Sequence, residues 1–232
     1  MWLLRIHKPK PNLTQDSGPQ DECPVMQRHL IAAGQPIKRP STLMDIPRFT
    51  DTYSKMAPDR PLGTIRIHAA AGNPCRGWLI AGRQVSPVAL GRGGIIANKR
   101  EGDGGTPKGT FRPRRLWWRA DRHRRPSTHL PVRAIRPSDA WCEDPASRHY
   151  NRPLRIAPGG DGDRLTRDDH LYDFIVEIDH NTRPRTAGRG SAVFLHLARP
   201  DFSPTAGCIS MTKSAMLHLL RQIGPDTRII IE

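Results

Sequence analysis

Apolar and polar residues alternate along several short stretches of this chain, and each stretch reads as a half-buried strand. Ile65, Ile67 and Ala69 alternate with Thr64, Arg66 and His68. Gly77 to Ala81 and Val85 to Leu90 read as two more strands, separated by a Gly82-Arg83-Gln84 turn. The longest alternation runs from Tyr172 to Asp179. It is expected to place Tyr172, Phe174, Val176 and Ile178 on one face, with Asp173, Glu177 and Asp179 on the other. Further strands are expected at Ala192 to Leu197 and at Arg228 to Ile231. Between these two the period changes. Met211, Ala215, Met216, Leu219, Leu220 and Ile223 recur at helical spacing, which predicts a helix over Thr212 to Ile223, ended by Gly224-Pro225. The pattern predicts a mainly β, mostly antiparallel domain with one helix near its C-terminus, and it contains no internal repeat.

Residues 1–60 lack any such period. Pro9, Pro11, Pro19, Pro24, Pro36, Pro40, Pro47 and Pro58 punctuate a polar stretch. This segment is expected to be a poorly ordered or extended arm, with the folded domain spanning 61–232. Neither the basic n-region nor the apolar h-region of a secretory signal is visible in it.

Composition sharpens this picture in two respects. Proline (23) and glycine (20) are abundant among the 232 residues, which suits strands and loops better than helices. Mean hydropathy is −0.59, and no run of about 18 apolar residues exists to cross a membrane as a helix. The 37 Lys+Arg against 22 Asp+Glu give a net charge of +15. The densest basic segment, Arg112 to Arg125, includes Trp117 and Trp118 and is the best local candidate for nucleic-acid contact. Because the remaining arginines are spread along the chain, a solvated basic face attracted to polyanionic envelope surfaces accounts for the charge better. No specific nucleic-acid partner is expected. Cys23, Cys75, Cys142 and Cys208 include no Cys-x-x-Cys pair and no histidine at ligand spacing, so neither a metal nor any other cofactor is expected.

The segment from Ser191 to Met211 carries the chemistry. Phe194 and His196 share a face of the expected strand, and Thr205-Ala206-Gly207-Cys208 follows just before the expected helix. A cysteine within a turn of a helix N-terminus, near a histidine, is expected to have a lowered pKa. The histidine would either pair with the thiolate or take its proton. Gly207 leaves room for a carbonyl, and amides around Cys208 offer an oxyanion hole. Spacing alone keeps a second reading open, in which Cys208 is a small buried hydrophobe and His196 a satisfied core residue.

His196 and Thr205-Ala-Gly-Cys-Ile-Ser-Met211 resemble the signature of the L,D-transpeptidase (YkuD) catalytic domain, which has Ser/Thr-x-Gly-Cys after a strand-end histidine. Thr106-Pro-Lys-Gly-Thr-Phe111 is similar to that family's Thr-Pro-x-Gly-x-Phe element, and the two occur in the family's order. The resemblance covers residues 62–232 and implies a mixed β-sandwich or barrel with a helix after the catalytic cysteine. It implies Cys208 as nucleophile, His196 as general base and later acid, Gly207 with the Cys208 amide in the oxyanion region, and Thr205 as an orderer of the loop. It also implies a backbone carbonyl on the histidine's other nitrogen. Leu197 and Ser210 replace the family's usual glycine and arginine, and the loop from His196 to Cys208 is short. Substrate carboxylate recognition then falls to Arg199 or another nearby arginine. Residues 117–153 form an elaboration whose Trp118, Trp141 and Tyr150 are candidates for packing or for lining a cleft.

The activity so implied is that of a peptidoglycan L,D-transpeptidase. Cys208 would acylate on a stem peptide, expel its terminal D-residue and pass the acyl group to an amine, on a second stem peptide or on an anchored protein. A carboxypeptidase or amidase would use the same site and end in water, and a basic module that binds without catalysis is the remote alternative. The sortase pattern Thr-Leu-x-Thr-Cys is absent. The substrate implies the periplasm or cell envelope.

Overall fold

The computed structural model describes residues 60–157 and 163–232, so the arm expected at 1–60 lies outside the described residues apart from Arg60, and Cys23 with it. In chain order the strands are β1 (Thr64–Ala70), β2 (Asn73–Ala81), β3 (Gln84–Ala89), β4 (Ile95–Ile96), β5 (Thr106–Pro107), β6 (Gly109–Phe111), β7 (Pro113–Trp118) and β8 (Val132–Ala134). There follow β9 (Asp139–Trp141), β10 (Pro153–Arg155), β11 (Asp163–Arg164), a 3₁₀ turn (His170–Tyr172), β12 (Phe174–Ile178), β13 (Phe194–Leu197), β14 (Ile209–Met211), helix α1 (Lys213–Gln222) and β15 (Arg228–Ile231). Among the described residues ten strands form one sheet, ordered β6-β15-β1-β2-β3-β14-β13-β12-β7-β8. Its pairs are antiparallel except β1 with β15, β13 with β14 and β7 with β8. The expected mainly β fold with one C-terminal helix is what the structure has.

Apolar alternation sorts the sheet's two faces. Ile65, Ile67, Val176, Leu195, Leu197 and Ile209 join the buried face of α1 in the larger core. Trp117, Ile175 and Phe194 point the other way, into a smaller core with Trp141 and Leu165. Burying each large aliphatic side chain contributes about 1.5–3 kcal/mol, so strands with apolar residues on both faces become central ones. β12 is such a strand, and two expectations fail there. It begins at Phe174, because Asp169 caps the 3₁₀ turn by accepting from Leu171 N. Tyr172 therefore packs in the smaller core, opposite Phe174. Asp173 and Glu177 are not a solvated face either, at 2% and 4% exposed. Asp173 is bonded by Arg122, His123 and His170, and Glu177 accepts from Trp117 Nε1 at 3.1 Å with Arg114 and Arg115 beside it. Buried carboxylates survive when paired in this way.

The helix is one residue shorter at each end than its periodicity suggests. Thr212 is the N-cap, its Oγ1 accepting from Ala215 N, and the extended Ile223 closes the last turn through its N–H to Leu219 O. The elaboration expected over 117–153 starts later, because Trp117 and Trp118 end β7 and belong to the main sheet.

Candidate active site

Parallel pairing of β13 with β14 places His196 opposite Ser210 and Leu195 opposite Ile209. Cys208, one residue before β14, thus lies beside Phe194 and on the same face as Phe194 and His196. Its Sγ accepts from Phe194 N at 3.4 Å and donates to Ala192 O at 3.1 Å. Tyr172 packs edge-on against His196, with ring centroids 5.4 Å apart, and against Phe194. The buried His196 directs Nδ1 to Leu197 O at 2.8 Å, so in the neutral ring Nδ1 carries the proton and Nε2 is the free base. No hydrogen bond joins the imidazole to Sγ among the described residues, as is common before substrate tightens such a pair.

The expected helix N-terminus is not where Cys208 sits. The three residues of β14 and the Thr212 cap separate it from α1, and its backbone continues into the sheet instead. The expected fall in thiol pKa is overturned with it. Burial pushes Cys208 up to about 12, helped by Asp163 and Glu143 and opposed by the Phe194 N–H and the Lys99 ammonium. Burial also pushes His196 down to about 4, against the pull of the Leu197 carbonyl. Thiol and imidazole are both neutral near pH 7, and no resting ion pair forms.

The loop before Cys208 is fixed from several sides. Thr205 Oγ1 donates to Cys208 O at 2.6 Å and accepts from Gly207 N at 3.1 Å, closing the turn on itself. Thr205 also bonds through its backbone to Leu90 O and Arg92 N. The segment Thr106–Phe111 supports that contact: the buried Thr106 Oγ1 accepts from Gly91 N at 2.8 Å, and Gly91 bridges to Thr205. Gly207 has φ +137°, and a Cβ there would lie 2.8 Å from Gly105 O. Its N–H is taken by Thr205, so it supplies space at the site and not a donor.

A cavity of about 220 Å³ opens on Cys208 and Gly207. Arg92 and Lys99 line it together with Glu101, Glu143, Tyr172 and Ser191. Sequence reading missed all of these as site residues, and it took Tyr172 only for a strand residue. Lys99 is 6% exposed; its ammonium bonds Asp103 and Arg100 O and lies against Gly207. Glu143, exposed at the rim, is pushed up to about 7 by loss of water around its carboxyl and then by Asp163 and Glu101. Asn151 acts from further out. Its Oδ1 accepts from Trp141 Nε1 and from Ala192 N, which steadies Ala192 at φ +50° with its carbonyl on Cys208. Nothing in a single asparagine after Tyr150 signals that role.

None of the four suggested residues, Arg199, Trp118, Trp141 and Tyr150, lines this cavity. Arg199 borders a different one, of about 580 Å³, with His123, Asp173 and Lys213. Trp118 packs against the larger core, and Trp141 fills the smaller one. Tyr150 is buried and donates to Glu101, so it supports the wall from behind. Among the described residues no group of three or more His, Cys, Asp or Glu side chains converges to hold a metal ion.

A family model described as the L,D-transpeptidase catalytic domain (YkuD) matches residues 75–231. Among solved structures, L,D-transpeptidase 3 from Mycobacterium tuberculosis matches with 12% identity and a TM-score of 0.35, over 72% of this chain and 60% of that one. The chain therefore spans about three fifths of that protein's crystallised length. Among curated proteins none matches this sequence.

Proposed function

The chain belongs to the L,D-transpeptidase (YkuD) catalytic-domain family, and from that premise we propose that it is a peptidoglycan L,D-transpeptidase with Cys208 as nucleophile and His196 as its base. The observation that carries this reading is the placement of Cys208 and His196 on one face of the β13–β14 pair, with the thiol open to a polar cavity. Because both groups are neutral at rest, the thiol proton passes to His196 Nε2 as sulfur attacks the stem-peptide carbonyl. The C–N bond to the terminal D-residue then breaks, and His196 returns the proton to the departing amine. An acceptor amine attacks the thioester, gives its proton to His196 and restores the thiol. The Cys208 amide and the nearby Lys99 ammonium stabilise the oxyanion. Arg92, the arginine that lines the cavity, takes over from Arg199 as partner for the terminal carboxylate. The substrate class places this work in the cell envelope; among the described residues no helix is long and apolar enough to cross a membrane.

Incubation with disaccharide-tetrapeptide and mass spectrometry of the products tests this directly. Cross-linked dimer is expected; a trimmed tripeptide alone means a hydrolase, and unchanged substrate means a binding module. Cys208→Ala should abolish the acyl-enzyme mass. His196→Ala should slow acylation by about 10²–10⁴, the range for a lost general base. An adduct on Cys75 or Cys142 would sink the assignment.

A further inference from the structure

The basic segment Arg112 to Arg125 plays no part in the chemistry at Cys208, and the structure divides it. Arg119 and Arg122 turn inward to pair with Asp121 and Asp173. Arg112, Arg114 and Arg115 instead line a groove of about 660 Å³, where Arg183 from the chain after β12 joins them. Arg114 and Arg115 share the single buried carboxylate of Glu177, at 3.4 and 3.1 Å, and Arg112 reaches the almost fully exposed Asp226. Arg183 is exposed and in no ion pair among the described residues. Arg185 adds to the crowding, since burial and then the charges of Arg152 and Arg114 hold its guanidinium below the usual range. Asp179 also lines the groove, its Oδ1 accepting from Arg112 N at 2.7 Å. The lining arginines 112, 114, 115 and 183 still outnumber the carboxylates that face them, Glu177, Asp179 and Asp226.

The aromatics of the same segment are out of reach. Trp117 is fully buried with Arg115 and Arg133 over its ring, and Trp118 packs in the core. Among the described residues no aromatic ring lines the groove. A strand of nucleic acid would find phosphate partners but no platform on which to stack a base. Fixed guanidinium forks without stacking rings suit regularly spaced phosphate oxygens.

We propose that the Arg112–Arg114–Arg115–Arg183 groove is a docking site for a linear phosphodiester polymer of the envelope, holding the enzyme near its substrate. The choice of an envelope polymer over single-stranded nucleic acid rests on the missing stacking surface, and over duplex DNA on the proposed function alone; the binding itself requires neither Cys208 nor His196.

The test titrates fluorescent poly(glycerol phosphate) into the full chain over a series of salt concentrations. The Arg112→Gln/Arg183→Gln variant should lose about tenfold in affinity and show a log–log salt slope shallower by about two, because two phosphate contacts release fewer counterions. Arg66→Gln/Arg83→Gln, which removes the same charge outside the groove, should stay within about twofold of the parent protein. Melting curves of both variants establish that they are folded. Arg183→Gln alone, at the exposed arginine without an ion pair among the described residues, is the substitute if the first is not, with about half the change in salt slope. Equal losses in the two pairs would reduce the effect to net charge and overturn the proposal. So would the absence of binding near physiological salt, or tighter binding of a duplex DNA with the same number of phosphates. Cys208 acylation is measured separately, so a failed transpeptidase assay and a failed groove are distinguishable.

Discussion

At Cys208 the surroundings decide the chemistry more than the residue type does. Sulfur lies between the Phe194 amide and the Ala192 carbonyl, with no cation bonded to it among the described residues, and burial raises its pKa to about 12. A thiolate therefore does not accumulate at rest, and reactivity waits for a substrate that lets His196 take the proton. Alkylation of Cys208 by iodoacetamide should keep accelerating from about pH 7 to about pH 10 without a plateau, as for a thiol whose pKa lies higher still. A plateau below about pH 8, followed by peptide mapping to Cys208, would show a resting ion pair instead. Thr-x-Gly-Cys was legible in the sequence because the turn is local: Thr205 satisfies Gly207 and Cys208 within three residues. The thiol's environment was not, because Ala192, Glu143 and Lys99 come from distant parts of the chain.

At the level of elements, the site depends on two strands that meet only in the folded state. β13 and β14 are neighbours because the loop between them returns the chain in parallel, and β3 closes the other edge of β14. Thr106, in the separate β4–β5 pair, acts on this arrangement from outside the main sheet, through the buried bond from Gly91 N to its Oγ1, while Gly109–Phe111 continues as the edge strand β6 of that sheet. Thr106→Val keeps the shape but leaves the Gly91 N–H without its acceptor, which should cost about 1–3 kcal/mol in denaturant unfolding. Because Gly91 bridges to Thr205, the same change should slow Cys208 acylation even where the protein remains folded. Unchanged acylation in a folded Thr106→Val protein would show that the segment serves stability alone.

Across the whole molecule, buried ionisable groups make stability depend on pH. His196 binds its proton near pH 6.5 when unfolded and near about 4 when folded. The unfolded chain holds more protons in that window, so this contribution is complete above pH 6.5 and is lost as pH falls toward 4. A shift of that size corresponds to about 3 kcal/mol, at roughly 1.4 kcal/mol per unit. Asp173, held below the usual carboxylate range despite its burial by His123, His170 and Arg122, acts in the same direction at lower pH. Glu143 opposes them: its raised pKa makes stability fall as pH rises from 4.5 to about 7, an effect limited by its exposure. Denaturant midpoints of the parent protein should therefore drop from pH 6.5 to pH 4, and His196→Gln should flatten part of that slope. Parallel curves for the two proteins would mean that His196 is not buried neutral.

The sequence by itself determined what is local. Strands β1, β2, β3, β13 and β15 and helix α1 follow from apolar residues at period two or at helical spacing, and the turn at Thr205–Cys208 follows from its own side chains. Tertiary structure decided the rest, because burial on a second face and contact between distant segments leave no periodic trace. Asp173 and Glu177 read as a solvated face until Arg114, Arg115, Arg122 and His123 arrived from elsewhere in the chain. Arg199 lies nearer to Cys208 in sequence than Arg92 does, yet Arg92 shares its cavity, since strand pairing and not chain distance sets which side chains converge.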